Sequence, residues 1–393
     1  MLTRVILHVD LDAFYCSVEE ILDPDLAGKA FVVGGRPEGR GVVASASYEA
    51  RSYGIRSAMP TAQALRLAPS LIILPGQHEV YGKHSKLVMG HLREAIPLMQ
   101  QISIDEAFLD VSADQRSGEE IAHRLQTEIL DLYHLPTSWG VASNKLVAKI
   151  ATDVGKPRGL VEVPTGDEAA FLFPLPVDML WGVGPKTRQR LERLNIHTIG
   201  DLAQVSHAKM GSLFGEVGLE LASRARGEDD SEVKEGGDPK SLSAERTFAR
   251  DRSTKKDLLK ALLQMSEEVG RRLRAEGLAG RTIRLKIRWP DFKTHTRQLK
   301  IEQPTDHDGE IYLKVRDLLA GIWEEGQPVR LLGVGVADLG RPWRQLSLFD
   351  REWEQDERLQ QALDEIRSRF GPGAVRRAGG VSARRPEDDN EPH

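Results

Sequence analysis

The chain has 393 residues, of which 40% are hydrophobic and 29% charged, and its formal net charge is −5. This is the composition of an ordinary soluble protein, long enough for two or more domains with cores of their own. The single cysteine, Cys16, excludes an internal disulfide and fits a reducing compartment. The apolar opening is interrupted at Asp10, too early for a signal peptide or a membrane span, so we expect a cytoplasmic protein without a membrane partner.

Residues 1 to about 165 mix short apolar strands with amphipathic helices, which predicts an α/β or α+β core. The predicted helices include DAFYCSVEEIL (12–22) and GEEIAHRLQTEILDLY (118–133). The predicted strands are RVILHVD, KAFVVGG, GVVASAS, SLIILP, FLDVS and TSWGVAS.

The stretch SIDEAFLDV (103–111) places two adjacent carboxylates, Asp105 and Glu106, in a β-rich run. Strand side chains alternate between faces, so one carboxylate lies on the less favourable side unless the backbone bends there. One interpretation is a strand end or an exposed edge, which avoids burying an unpaired charge. The other is a metal site, because Mg²⁺ prefers carboxylate oxygens, and such a site needs at least one more acid.

Asp10 could be that acid, because it ends the first predicted strand, where active-site loops usually emerge. If the two strands pair, Asp10, Asp105 and Glu106 would supply three carboxylates for two-metal displacement at phosphorus. Asp12 is instead well placed as the N-cap of the helix that follows.

The rest of the chain divides at changes in pattern. Residues 166–235 are helical with short loops, and GEDDSEVKEGGDPK (227–240) has the composition of a linker. From about 240 to 342 the order β-α-β-β-α-β predicts one compact unit. We therefore expect domain boundaries near residues 165, 235 and 342, followed by a short apolar motif, a helix and a disordered tail.

Positive charge is concentrated in this β-α-β-β-α-β segment. Between Lys240 and Lys300 there are 17 Lys and Arg against 7 Asp and Glu, a local charge of +10. In RTIRLKIRW (281–289) the apolar residues alternate with cations, which predicts a strand with one cationic face. A row of cations on a sheet suits the phosphates of nucleic acid, whereas a merely solvated surface rarely segregates so cleanly. The cations of this face are Arg284, Lys286 and Arg288.

Five motifs resemble, in content and order, those of Y-family DNA polymerases, above all the bacterial DinB type. The resemblance extends to about residue 350. It implies a multidomain α+β polymerase shaped like a right hand, with palm, fingers, small helical thumb and little finger. It also implies an error-prone translesion polymerase without proofreading, acting as a monomer on primer-template DNA with dNTPs. The motifs are HVDLDAFYCSVE, GVVASASYEARSYGIRSAMP, SIDEAFLDV, GVASNKLVAKIATDVGKPRG and LWGVGPKTRQRLERLNIHTIGDL.

By this resemblance, Asp10 and Asp105 match the metal-ligand aspartates of the family, and Glu106 matches its catalytic glutamate, which also reaches a metal. Leu11 occupies the position whose backbone carbonyl helps to hold the nucleotide-side ion. Two Mg²⁺ ions per active site would lower the pKa of the primer 3′-hydroxyl, orient the triphosphate and stabilise the leaving pyrophosphate.

The resemblance further implies a site for the incoming nucleotide. Tyr15 matches the steric gate, an aromatic ring under the sugar that collides with a 2′-hydroxyl. On the residues alone, Tyr15 is better explained as a core aromatic, and YEAR (48–51) as a surface helical turn. The positions that match nucleotide contacts are Phe14, Tyr15, Ser45, Tyr48, Arg51 and Lys156.

Two further segments resemble binding motifs. LWGVGPKTRQRLERLNIHTIGDL (180–202) resembles a helix-hairpin-helix, in which Gly182 and Gly184 permit a tight turn and Lys186 follows near the DNA phosphates. QLSLF (345–349) resembles the peptide by which bacterial polymerases dock on the sliding clamp; a cap on the neighbouring domain is the alternative. Its predicted contacts are Gln345, Leu346, Leu348 and Phe349.

Two other functions use parts of the same sequence. A metal-dependent nuclease would share the carboxylates, but it would not need the triphosphate contacts or the sugar gate. A catalytically silent scaffold that binds DNA and the clamp would have lost an acid, and here all three are present.

Overall fold

The structure, a computed structural model, describes residues 4–237, 239–343, 351–371 and 374–375. Contacts within the chain separate two compact units, one of residues 1–36 and 42–237 and the other of residues 37–41 and 238–393. The finer division at about residues 165, 235 and 342 stays a prediction. No helix in the described ranges combines the length and the apolar character that crossing a membrane requires.

The first unit contains a five-stranded sheet in the order β5-β6-β1-β7-β8 and a three-stranded sheet in the order β3-β2-β4. Its strands are β1 (Ile6–Leu11), β2 (Phe31–Gly34), β3 (Val43–Ala46), β4 (Ile72–Leu74), β5 (Met99–Gln101), β6 (Glu106–Asp110), β7 (Thr137–Ala142) and β8 (Leu160–Glu162). Its helices are α1 (Phe14–Leu22), α2 (Tyr48–Ser52), α3 (Thr61–Leu67), α4 (His78–Ala95), α5 (Gly118–Tyr133), α6 (Lys145–Gly155), α7 (Glu168–Leu172), α8 (Pro185–Glu192), α9 (Ile199–Ala203), α10 (His207–Phe214) and α11 (Glu216–Arg224).

Strand β1 lies at the centre of the larger sheet and pairs antiparallel with both β6 and β7. All six of its residues are buried because both faces of the sheet are covered. Leu7 and Val9 belong to the core that also holds buried residues of α1, α4 and α5. Ile6 points the other way, into a core shared with α6 and the helices after β8. Since alternate residues share a face, His8 and Asp10 also face α6.

Helix α6 lies unusually close to the sheet because Gly140 of β7 carries no side chain. A Cβ atom on Gly140 would lie 2.0 Å from the Ala148 carbonyl oxygen and 2.6 Å from the Thr152 backbone nitrogen. The close approach lets the Thr152 hydroxyl bond the buried His8 ring, with 2.9 Å between Oγ1 and Nδ1. Asn144 begins the helix and caps it by accepting from the Val147 N–H.

Residues 229–233, in the first half of the predicted linker, make contacts with the first unit. Asp229 accepts a hydrogen bond from the Leu146 N–H, and the nearly buried Lys145 donates to the Glu232 carbonyl oxygen. Val233 is buried in the core that α6 helps to form. Residues 229–233 are therefore part of the first unit, because this acidic stretch satisfies donors at the start of α6 and inserts one apolar side chain.

The second unit confirms the predicted β-α-β-β-α-β order. Its sheet has the strand order β11-β10-β12-β9 and is antiparallel throughout. Its core lies between this sheet and the helices of residues 255–275 and 308–320. A further helix, α14 (Arg351–Phe370), confirms the one expected after the apolar motif. The other elements are β9 (Ser241–Arg252), α12 (Lys255–Ala275), β10 (Ala279–Arg288), β11 (Thr294–Thr305), α13 (Asp308–Ala320) and β12 (Val329–Gly340).

Two local predictions are wrong. The strand predicted as FLDVS (108–112) instead spans Glu106–Asp110, and the bend that the sequence argument left open lies just before it, where the Ser103 hydroxyl accepts from the Asp105 and Glu106 N–H groups. Asp12 does not cap α1: the cap residue is Ala13, with φ of 44° and no side-chain hydrogen bond. The Asp12 carboxylate is engaged elsewhere, by donors far away in the sequence.

The sole cysteine, Cys16, lies in α1 with 1% of its surface exposed. Burial raises the pKa of its thiol to about 12, although a hydrogen bond with Ser45 acts in the opposite direction. The thiol is therefore held neutral and out of solvent.

We predict that Gly140→Ala lowers the free energy of unfolding by about 1–3 kcal/mol or more, because the added methyl must displace the backbone of α6. Chemical denaturation measures this. Gly90→Ala is the matched control: Gly90 lies inside α4 with nothing within 4 Å of its Cβ position, so alanine there should stabilise by about 0.5–1 kcal/mol. Equal stability of Gly140→Ala and wild type would show that α6 can move away without cost.

Candidate active site

Asp10 and Glu106 face each other across two neighbouring strands. They are paired residues in the antiparallel register of β1 and β6, and their carboxyl groups share a hydrogen bond. The strand pairing that the sequence argument assumed is therefore present. Both side chains lie on the α6 face of the sheet, since Glu106 shares its face with Phe108, which belongs to the same core as Ile6.

Two lysines bring positive charge to this carboxylate pair. Lys149, on α6, lies with Nζ 2.6 Å from Glu106 Oε1. Lys156, directly after α6, lies with Nζ 2.7 Å from Asp10 Oδ2 and 2.8 Å from Asp153 Oδ1. The side chains of the Lys149–Glu106 and Lys156–Asp10 ion pairs are mostly buried. Salt therefore screens these two pairs less than it screens ion pairs on the surface. Each carboxylate thus has its own cation.

The pKa values follow from burial and from these contacts. Burial raises the pKa of Asp10 to about 8, partly offset by Lys156 and increased by its hydrogen bond with Glu106. Burial also acts on Glu106, but the hydrogen bond and charge of Lys149 bring its pKa below the ordinary value. Burial opposes charge on Lys156, yet its ion pairs with Asp10 and Asp153 raise its pKa. The two lysines therefore favour the charged forms of this pair, whereas burial opposes them.

Asp105 lies just before β6, and its carboxylate interacts with the charge of Glu106. Its carboxylate accepts a hydrogen bond from the Ser103 hydroxyl, and its carbonyl oxygen accepts from the Leu11 N–H at 3.0 Å. Burial raises its pKa, the Ser103 bond lowers it, and the charge of Glu106 raises it further. The bend at Ser103 therefore holds this third acid near the pair but outside its hydrogen bonding.

The donor set fits hard divalent cations. The carboxyl groups of Asp10 and Glu106 are adjacent and mostly buried, Asp105 is close enough to interact with Glu106, and oxygen donors are what Mg²⁺ prefers. The described ranges contain no three acidic, histidine or cysteine side chains already arranged as a complete ligand cluster. The lysines now stabilise the charge that bound cations would otherwise neutralise.

Tyr15 lies in the first turns of α1, five residues after Asp10. Its ring stacks on that of Tyr81 in α4, with centroids 4.3 Å apart and an angle of 15° between the planes, and meets His78 edge-on. Tyr15 is only partly buried, and burial together with the charge of Asp105 raises its pKa. Phe14 is fully buried, so it supports the helix from within the core.

The other predicted nucleotide contacts lie on the three-stranded sheet and the helix that follows it. Ser45 is nearly buried in β3 and bonds the Cys16 thiol. Tyr48 and Arg51 lie on one face of α2, and the Arg51 guanidinium carbon is 4.6 Å from the Tyr48 ring centroid. The Tyr48 hydroxyl donates to Asp12 at 3.0 Å. Arg51 also donates to the Ala46 carbonyl oxygen.

The residues predicted to bind DNA lie in the turn before α8, in the first turn of α8 and on β10. Gly182 has φ of 105°, a value that favours glycine, and Gly184 caps α8, with Pro185 at its first position and Lys186 in its first turn. In the second unit the alternation of β10 is confirmed, because Ile283, Leu285 and Ile287 are all fully buried.

The cationic face of β10 is already partly paired within the sheet. Lys286 forms an ion pair with Glu245 of β9, with Nζ and Oε2 2.7 Å apart. Arg284 donates to Gln298, and Arg288 donates to Thr294. Arg284 is the exposed member of the three. Of these three cations, Lys286 is balanced by an acid, whereas Arg284 and Arg288 contact neutral groups and keep their charge.

Three family models match the chain. Residues 9–153 match the impB/mucB/samB family, residues 165–196 match its HHH motif, and residues 239–348 match its C-terminal domain. The chain is also 43% identical to a DNA polymerase IV of Desulfatibacillum aliphaticivorans, covering 97% of this chain and 98% of that protein. The chain belongs to the Y family of DNA polymerases. It is therefore a DNA-directed DNA polymerase of the translesion class.

Other relatives agree with this membership. A DNA polymerase IV of Dehalococcoides mccartyi strain CBDB1 is 39% identical over 95% of this chain and 97% of its own length. Among solved structures, a Y-family DNA polymerase chimera of Dbh and Dpo4 matches with a TM-score of 0.75 at 27% identity, covering 86% of this chain and 99% of that one. An insertion ternary complex of Dbh DNA polymerase matches with a TM-score of 0.64 over the same share of both chains. The expected multidomain polymerase fold is confirmed.

Sequence reasoning missed two residues of this Y-family site, Lys149 and Asp12. Lys149 lies in α6, seven residues before Lys156, but this spacing alone does not show that it faces Glu106. No signal in the sequence indicated the contacts of Asp12, because its partners are 36, 126 and 146 residues away.

The clamp motif, residues 345–349, and the tail from 376 onward lie outside the described residues.

Proposed function

We propose that this polymerase adds dNTPs to a primer 3′ end by two-metal nucleotidyl transfer, with Asp10, Asp105 and Glu106 as its metal ligands. The facing of Asp10 and Glu106 across β1 and β6 carries the proposal, because two buried carboxyl groups in contact are costly unless cations accompany them. When bound, Mg²⁺ would lower the pKa of the primer 3′-hydroxyl and neutralise charge on the triphosphate and the leaving pyrophosphate. The Leu11 carbonyl is assigned to the nucleotide-side ion.

Lys156 and Arg51 supply fixed positive charge for the phosphates. Asp10 and Asp153 raise the pKa of Lys156 and hold it charged, and a phosphate oxygen could replace Asp10 as its anionic partner. Arg51 presents a planar fork of donors, stacked on Tyr48 and directed by its bond to the Ala46 carbonyl. Ser45 adds a hydroxyl group from β3, and Tyr48, whose hydroxyl donates to Asp12, adds the ring on which Arg51 lies. Together these side chains would hold the triphosphate in line with the primer hydroxyl.

Tyr15 acts as the steric gate, and Phe14 supports it from the core. The stacking of Tyr15 on Tyr81 fixes the ring in one orientation, which is what exclusion by collision needs. A 2′-hydroxyl would meet this ring, whereas a deoxyribose would not. The gate therefore selects deoxyribonucleotides by shape rather than by a hydrogen bond.

We assign the binding of primer-template DNA to two separate elements. The turn of Gly182 and Gly184 opens α8, whose backbone N–H groups can meet a phosphate, with Lys186 beside them. On β10, Arg284 and its neighbours Lys286 and Arg288 offer cations spaced along a strand. Neither element reads bases, which suits a polymerase that acts on any sequence and copies damaged template without proofreading.

We also propose that QLSLF recruits the polymerase, as a monomer in the cytoplasm, to the sliding clamp. The apolar anchors Leu346, Leu348 and Phe349 and the polar Gln345 suit a peptide that enters a pocket beside a polar edge. In sequence, the motif is followed by α14, which begins at Arg351.

Glu106→Ala or Asp105→Ala should lower nucleotide addition by about 100-fold to 1,000-fold or more, the loss expected when one group that stabilises transition-state charge is removed. Primer extension with Mg²⁺ and each dNTP measures the rate, and fluorescence anisotropy measures primer-template affinity, which should persist. Glu119→Ala, an exposed carboxylate at the start of α5, is the matched control and should retain activity. Substantial extension by either active-site variant would remove that carboxylate from the mechanism.

Tyr15→Ala should improve use of ribonucleotides about tenfold or more relative to dNTPs, because the ring that collides with the 2′-hydroxyl is gone. The ratio of rNTP to dNTP incorporation in single-nucleotide assays measures this. Tyr15→Phe keeps the ring and should keep the wild-type ratio. If the alanine variant discriminates as well as wild type does, Tyr15 is a core residue and not the gate.

Replacing both Leu348 and Phe349 with Ala should leave synthesis on short primers unchanged but remove most of the stimulation by a loaded sliding clamp. Each anchor contributes roughly 1.5–3 kcal/mol when buried in a pocket. Extension on long circular templates, with and without the clamp, separates the two effects. Leu359→Ala, an exposed leucine in α14, is the control. Poor basal activity with normal stimulation would mean that QLSLF packs on its own domain.

A further inference from the structure

Asp12 is a fully buried carboxylate that bonds three distant segments of the first unit. Its side chain accepts from the Tyr48 hydroxyl at 3.0 Å and from the Arg158 N–H at 2.8 Å. The Ser138 hydroxyl lies 2.8 and 2.9 Å from its two oxygens. Only 1% of the Asp12 surface is exposed. These three donors are neutral groups that satisfy the carboxylate by hydrogen bonding.

The backbone of Asp12 is fixed as firmly as its side chain. Its N–H donates to the Pro136 carbonyl oxygen at 2.9 Å, and its carbonyl oxygen accepts from the Ser17 hydroxyl at 2.6 Å. The residue therefore cannot turn without breaking contacts with β7, the loop before it and α1. Losing any one of its donors would leave a buried polar group unsatisfied. The Asp12 carboxylate is therefore held in one position.

Two of the three donors lie beside residues assigned to the triphosphate. Tyr48 is itself one of them, and its ring carries the guanidinium of Arg51. Arg158 follows Lys156 by two residues, in the loop between α6 and β8. Burial and the charge of Asp12 raise the pKa of Tyr48, so its hydroxyl keeps its proton as a donor. Ser138, the third donor, lies in β7 and adjoins no assigned nucleotide contact.

We infer that Asp12 is a positioning residue for the incoming nucleotide: it sets the distance between the Tyr48–Arg51 turn and the Lys156 loop, the two sides of the triphosphate site. This rests on the proposed function, since it takes those residues to hold the triphosphate. Asp12 touches neither substrate nor the reacting atoms. It acts by tying both sides to one buried carboxylate, so its loss should weaken nucleotide binding more than the chemical step.

The test compares Asp12→Asn, Tyr48→Phe and Ser138→Ala in steady-state incorporation of a single dNTP. Asparagine keeps the shape but places an N–H₂ group against one of the donors. We expect Asp12→Asn and Tyr48→Phe to raise KM for dNTP about tenfold, with kcat reduced less than threefold and primer-template affinity unchanged. Ser138→Ala removes a bond to the same carboxylate, so it should lower the melting temperature yet keep KM within about twofold of wild type.

The double variant Asp12→Asn with Tyr48→Phe separates this role from independent contributions. Because both changes cut the same link, its KM should stay close to that of the worse single variant. A purely structural Asp12 would instead lower the melting temperature and kcat together and leave KM for dNTP unchanged, which would overturn the inference. If Asp12→Asn does not fold, Tyr48→Phe still decides, because an unchanged KM for dNTP in that variant refutes the inference. A wild type that incorporates no dNTP would refute the proposed function instead.

Discussion

The contact between Asp10 and Glu106 is the constraint around which the first unit is arranged. Antiparallel pairing at the centre of a covered sheet brings two acids together where water cannot solvate them well. Their charge must then be balanced from the one face that they share, which is the face of α6. That helix can lie close enough only because β7 has a glycine beneath it. Backbone geometry, helix contact and electrostatics are therefore parts of one requirement.

The lysines balance the charge of the two acids from within the fold. Lys149 and Lys156 neutralise the acids in the present arrangement, and both have aliphatic stems that let the charged group move over several ångströms. In the proposed mechanism, bound divalent cations would balance the acids and leave Lys156 available for phosphate. A site of this kind stays folded in the absence of its cofactor, because it carries its own counterions.

Much of this could be predicted from the sequence, for a physical reason in each case. The β-α-β-β-α-β unit and the exact span of α5 follow from strong local periodicity and a Ser117–Glu120 capping box. Pairing of Glu106 with Lys149 could not be predicted, because it depends on which face of β1 and β6 meets α6. Asp12 was misassigned for the opposite reason: its local context resembled a cap, and tertiary donors from far along the chain took its carboxylate instead.

The burial of Cys16 has a chemical consequence for an enzyme of the translesion class. Oxidants that damage DNA bases also attack protein thiols, and they react with the exposed thiolate rather than with a buried thiol. The only sulfhydryl group of this chain is inside α1, with its proton held by burial and its sulfur away from solvent. The polymerase therefore offers no thiol to sulfenylation, glutathionylation or a mixed disulfide while it is folded.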